Sequence, residues 1–331
     1  MATTSSGISA LYSNVVQDLV PFYDAAVLLP NPALIVNSFN ISSSAGDTIQ
    51  VPLTDAWTAA NSSIAEQADI LDANVSNADK SFSTTSVTLT AKKRAAGTYV
   101  TEESLEDGQF SVVQQGVTTR LSRSIAQATD QAGFKVMLNN TETAPTNGNV
   151  LVGTGANVEL VNQSTINGGA NGNIDLNVVF SNEAMAYMDK RLPTVKVQDD
   201  VQYDRYIFTG SVRNGFAQLR PGFIKAVASL NGIGANASLT CSLNDFAIAV
   251  AKLRDANAPA DASGFYYAAV TPGCELSLAG ELAGFGTLNT STIGSLSDIG
   301  NRVLLESIIS EGLGIRWVRS NNLVENVTNT I

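Results

Sequence analysis

The side chains that do most enzymatic chemistry are scarce in this sequence, and the scarcity is selective. There is no histidine, so neither a Ser-His-Asp nor a Cys-His arrangement can be assembled, and metal sites that need imidazole ligands are closed to it. The two cysteines, Cys241 and Cys274, fall short of the four ligands of a structural zinc and read as small buried hydrophobic residues rather than redox partners. The densest carboxylates are Glu102, Glu103, Glu106 and Asp107. They precede a long helical pattern, where the macrodipole favours anions, so they read as a helix start rather than a metal or acid-base pair. Asp199 and Asp200 read as a solvated loop in the same way. Lys92, Lys93 and Arg94 form the basic run, for which salt bridges to that acidic cluster or to a neighbouring chain are expected ahead of phosphate binding. The fragments GTGAN at 153–157 and GIGAN at 233–237 continue to neither GxGxxG nor a Walker GK[ST], and read as turns. No residue is therefore assigned a catalytic, cofactor-binding or metal role, no cofactor is expected, and the chain is not expected to be an enzyme.

The bulk composition agrees with a structural role. The 331 residues predict two domains or one large irregular one. A hydrophobic share of 44% with 15% charged is globular composition. No apolar run reaches the roughly 18 residues of a membrane span, and the N-terminus lacks the basic and apolar regions of a signal peptide. Nineteen Lys and Arg against 30 Asp and Glu give a net charge of −11, which repels duplex phosphate on average.

The elements that must carry this chemistry are extended. Ile8, Leu11, Val15, Val16 and Leu19 suggest a short helix that Pro21 ends, and Pro30 and Pro32 keep the following chain extended, as an arm that needs another surface. Residues 48–58 and 82–101 read as two strands of a long hairpin standing away from the body, with Val87, Leu89 and Ala91 alternating with polar residues. Such a hairpin is marginal alone. The strongest helix runs over 109–138, with Val113, Val117, Leu121, Ile125, Ala128, Ala132 and Val136 in one narrow stripe. At about 1.5 Å per residue it is a rod roughly 45 Å long. Beyond an Asn- and Gly-rich stretch, 177–193 reads as a strand running into a helix capped by Ser181 or Asn182 and stopped by Pro193. Residues 222–230 read as a strand. A helix capped by Ser242 or Asn244, the buried strand GFYYAAVTP, the helix IGNRVLLESIISEG and the strand LGIRWVRSNNL then suggest an α/β layer.

This order of parts resembles the major capsid proteins of tailed bacteriophages, which share the HK97-type fold. The local likenesses are the step from strand to acid-rich helix start at Tyr99–Asp107, LRDANAP with GFYYAAVTP at 253–272, and GLGIRWVRSNNL at 312–323. The resemblance implies an α+β fold: N-terminal arm over 1–45, extended β-hairpin loop over 46–100, peripheral domain with the spine helix and inserted strands over 101–235, α/β axial domain over 236–315 with 177–230 as the alternative, and C-terminal strand and tail over 316–331. It further implies self-assembly into pentamers and hexamers of an icosahedral shell around double-stranded DNA that is bound without sequence specificity. The expected partners are a separate scaffolding protein, a portal and decoration proteins, with no membrane. The location is the virion, after assembly in the host cytoplasm. A protein-filled compartment shell of the encapsulin kind is the alternative within the fold, and an Asn/Thr-rich surface or fibre protein the alternative outside it. No large cleaved N-terminal segment is expected, and Lys80 in the loop is not expected to form a covalent cross-link.

Overall fold

One long helix ties together two β-sheets of different character. The computed structural model of the chain describes residues 21, 23, 26–41, 46–54, 84–107, 110–140, 142, 158–161, 173–230, 241–287 and 311–328. Its strands are β1 (Asn37–Asn40), β2 (Thr48–Thr54), β3 (Thr84–Thr90), β4 (Lys92–Thr101), β5 (Glu159–Leu160), β6 (Asn173–Phe180), β7 (Met185–Asp200), β8 (Arg205–Gln218), β9 (Ile224–Leu230), β10 (Tyr266–Val270), β11 (Glu311–Gly312), β12 (Ile315–Arg319) and β13 (Val324–Thr328). Its helices are α1 (Glu102–Asp107), α2 (Phe110–Asn139), α3 (Leu243–Asp255) and α4 (Pro272–Thr287).

The first sheet has the order β1-β7-β8-β4, and β2 pairs with β3 in a separate two-stranded sheet. Helix α2 crosses one face of the first sheet, where Val117 and Leu121 pack with Val100, Val195 and Phe208, and Ile125 and Ala126 with Val212 and Tyr23. The stripe read from the sequence is right in its middle, but Ala128 is exposed and the buried surface widens toward the C-terminus. There Phe134, Val136, Met137 and Leu138 enter a core shared with the second sheet. A rod on one sheet needs a narrow stripe, and a rod end wedged between two layers needs apolar residues all round.

The second sheet runs β11-β12-β10-β6-β9-β5, with β13 also pairing β6. Its central strands are covered on both sides. Val178, Phe180, Ala226 and Ala269 face the α2 core, whereas Val179, Val227, Ala268 and Val270 face α3 through Phe246, Ala249, Val250 and Leu253. The unbroken runs VVF and YYAAV are the sequence sign of two-sided burial. Helix α3 starts where expected: Ser242 caps it, its Oγ accepting from the Asp245 N–H while the Asp245 carboxylate accepts from the Ser242 N–H. Because β6 and β9 pair with each other and β6 with β10, the boundary drawn at 235/236 cuts through this sheet, which takes strands from both passages considered for the axial domain.

Several expectations are corrected. Residues 183–192 are not a helix: after a turn through 182–184, β7 begins at Met185, because Ala186 and Met188 pack on one side and Tyr187 on the other, and a helix cannot bury alternate residues on opposite faces. Ser181 closes a turn instead of capping a helix: the Ala184 N–H donates to its carbonyl and its Oγ donates to the Pro259 carbonyl. Pro193 sits in β7 where the register with β8 shifts between Arg191 and Thr194, a place where a missing N–H is tolerated. Asp199 and Asp200 end β7 rather than lying in a loop. The strand expected over 82–101 is two strands. β3 pairs with β2 as far as Thr90, and from Lys92 the chain pairs with β8. Gly215 permits the crossover, since a Cβ there would collide with the Thr90 carbonyl.

The base of the hairpin does not stand away from the body: Val51, Leu89 and Ala91 pack on Ala186, Met188, Ala217 and Leu219. In the arm, Pro21, Tyr23 and Ala26 are helical, and 29–30 and 32–34 form turns rather than extended chain. β1, not read from the sequence, follows and pairs parallel with β7. Helix α4 was also not anticipated. The hairpin tip at 59–80, Lys80, both Gly-Ala-Asn fragments and the helix expected over 8–19 lie outside the described residues, as does the helix expected over 299–312 up to residue 310; its last two residues, Glu311 and Gly312, form β11 rather than helix.

Candidate assembly surfaces

The residues singled out for chemistry are dispersed. Glu102 and Glu103 lie in α1, a short helix of its own rather than the first turn of α2. The basic run does not pair with them. Arg94 is buried and donates to Glu142 at 2.9 Å, with Lys92 at 3.5 Å from the same carboxylate. Cys241 and Cys274 are both buried, as expected, but they are bonded to each other as a disulfide. This corrects the reading of two independent hydrophobic residues and joins the segment before α3 to the first turn of α4. The sequence held the pair but not its proximity. Among the described residues, no group of three His, Cys, Asp or Glu side chains is placed to hold a metal, and no helix is long and apolar enough to cross a membrane.

The most elaborate polar site is buried and was not read from the sequence. Asp130, on α2, is fully buried. Its Oδ1 accepts from the Leu28 and Leu29 N–H groups at 3.0 Å each, and its Oδ2 from Leu28 and from the Asn322 amide at 3.2 Å. One carboxylate thus fastens the arm, the long helix and the segment after β12. Burial pushes its carboxyl up, and the Leu29, Leu28 and Asn322 donors pull it back only in part. Beside it the Tyr23 hydroxyl donates to Thr129 Oγ1, and Asn214 reaches both. Burial raises Tyr23 to about 12, so it stays protonated as a donor. The described arm residues are therefore held on their own subunit. Only its standing as the one charged side chain between Arg123 and Lys135 hints at this site in the sequence.

The outer surface divides by charge. At the β7–β8 turn, Val201 is 83% exposed and Tyr203 61%. The Arg205 guanidinium lies over both the Tyr99 and Tyr203 rings and pairs with Asp200 at 2.9 Å. Asp199, Asp204, Glu102 and Glu103 surround that turn, and the nearby Glu102 charge raises the Asp204 carboxyl. Glu102 accepts from the Tyr206 hydroxyl at 2.7 Å. On the sheet face away from α2, Lys93 lies opposite Arg213 and Arg213 opposite Arg191 on three adjacent strands. With Lys190, Leu192 and Thr194, Arg191 and Arg213 line a shallow cleft of about 360 Å³.

Two sheets bridged by one long helix, with a separate hairpin and an arm running back to the helix, make a mixed α+β architecture that matches the HK97-type fold. The chain superposes on the capsid of bacteriophage JBD30 with a TM-score of 0.51, at 8% identity, over 90% of this chain and 92% of that one. A JBD30 capsid decorated with minor capsid protein trimers aligns at 0.49, 11% identity and the same coverages, and the JBD30 procapsid at 0.46, 13% identity, over 85% and 91%. No protein-family model and no curated protein matches the sequence.

Proposed function

We propose that this protein is the major capsid protein of a tailed double-stranded DNA bacteriophage and builds the icosahedral head shell from copies of itself. The observation that carries this reading is the likeness to the JBD30 capsid over nine-tenths of both chains. Its role is structural rather than enzymatic, and its place is the virion. The four-stranded sheet with α2 serves as the peripheral layer, and the seven-stranded sheet with α3 and α4 as the axial domain, so the axial unit includes β6 and β9 as well as 236–315. Residues 46–100 contain the extended loop that reaches a neighbour. A scaffolding protein, a portal and packaged DNA complete the set of partners. The JBD30 capsid is described with minor capsid protein trimers on it, and a comparable decoration is part of this proposal. The test is electron microscopy of the full chain expressed alone and with a scaffolding candidate. Closed polyhedral shells are expected, and a chain that stays monomeric in both conditions would refute the assignment.

A further inference from the structure

We infer that the acidic turn between β7 and β8 of one copy seats in the cationic cleft at the β7 bulge of the next copy, a head-to-tail contact between identical chains. The inference rests on the self-assembly proposed above. Lys93, Arg213 and Arg191 stand side by side in register on β4, β8 and β7. Like charges directly opposite one another destabilise a sheet, yet among the described residues only Asp47 offsets them, through Arg213. Arg191 gives one guanidinium nitrogen to Ser211 at 2.8 Å. The cleft also exposes Leu192, 57% open to solvent. It therefore fits an anionic partner with an apolar tip.

The β7–β8 turn has that composition. Val201 projects at its end, flanked by Asp199 and Asp204 with Glu102 and Glu103 beside them, and like-charge crowding there is visible in the raised Asp204 carboxyl. One chain cannot bring its own turn into its own cleft. Thr194 and Val201 lie on one continuous strand and turn, roughly 23 Å apart at about 3.3 Å per residue, and a paired ribbon cannot fold back over that distance. The occupant is therefore a second copy. Because donor and acceptor surfaces differ, the contact is heterologous and generates rings or extended arrays, as a shell requires.

The experiment uses the full chain in three charge-exchange variants. Glu103→Lys with Asp199→Lys reverses the turn, Lys93→Glu with Arg191→Glu reverses the cleft, and the third carries all four substitutions. The assembled fraction is read by sedimentation and the fold by circular dichroism. Each reversal alone should lower the assembled fraction at least tenfold, and the fourfold variant should regain most of it. Normal assembly of both single reversals overturns the contact. So does a cleft reversal that the turn reversal fails to rescue, which would assign the cleft to nucleic acid or to the acidic 55–79 segment instead. A second measurement does not depend on the charged variants folding. Leu192→Cys with Val201→Cys, both at exposed positions, should give a ladder of linked chains under dissolved oxygen and a copper catalyst, and neither single substitution should. A folded, assembled double variant without a ladder overturns the contact. If the wild-type chain does not assemble at all, the capsid reading itself has failed, and that result is distinct from the others.

Discussion

The two sheets of this protein are made from similar strands and end in opposite relations to solvent. The seven-stranded sheet is sandwiched: Val179 and Ala268 meet α3 while Val178 and Ala269 meet the α2 core, and all are essentially inaccessible. The four-stranded sheet is covered by α2 on one face. On the other, the hairpin base covers only the end near Ala217 and leaves Ala95, Gly97, Thr194, Lys196 and Gln198 exposed. The seven-stranded sheet completes itself. The four-stranded sheet keeps a polar, cationic face that the described residues leave open.

That contrast breaks most visibly at Val179→Asp, which puts an unpaired carboxylate between two apolar layers. The loss should be on the order of 4 kcal/mol or more and the protein insoluble on expression. Native melting of a soluble variant would contradict the two-sided packing. Phe246→Ala empties the α3 side of the same sheet and should cost about 3–5 kcal/mol in urea unfolding without preventing folding. Removing the disulfide with Cys241→Ala and Cys274→Ala should cost about 2–4 kcal/mol, and reductant should lower the wild-type melting temperature toward that of the variant and leave the variant's unchanged. Insensitivity of the wild type to reductant would show that the bond does not form.

Asp130→Asn sharpens the comparison at the junction of the sheets. The amide oxygen can keep the Leu28 and Leu29 N–H groups, but its NH2 replaces the oxygen that accepts from the Asn322 amide, with an expected loss of about 1–3 kcal/mol. The sign of its pH dependence follows from the raised folded-state carboxyl. Above the usual value near 3.8 the folded chain holds this proton more readily than the unfolded one, so this group's contribution falls as pH rises through that window. The wild-type advantage over Asp130→Asn should therefore grow on acidification from neutral pH toward 4, and a constant difference would refute the buried-carboxylate account. The smallest effect belongs to the open face. Lys196→Ala should change subunit stability by no more than about 0.5 kcal/mol, measured by the same urea titration.

Much of the architecture was legible where local and tertiary demands coincide. The stripe at every fourth residue from Val117 to Ile125 marks the long helix, Ser242, one of the two caps the sequence offers, marks the start of α3, and Val87, Leu89 and Ala91 alternate as a half-buried strand should. The segment 183–192 misleads because Ala and Met favour helix locally, whereas burial on two faces demands a strand. The break of the hairpin strand at Ala91 was invisible because it depends on Gly215, far along the chain. The assembly surfaces were legible only in part. The acids and the basic run are plain in the sequence, but their true partners are not.

What the sequence alone determined is the absence of histidine chemistry, the overall negative charge, the periodicities of the long helix and hairpin, and an order of parts that resembles a capsid fold. These follow from composition and from contacts a few residues apart. Tertiary structure alone decided that Cys241 meets Cys274, that Asp130 gathers Leu28, Leu29 and Asn322, and that Lys93, Arg213 and Arg191 share one face. Each depends on chain segments brought together across long loops, and sequence separation carries no record of which distant groups the folded core will place side by side.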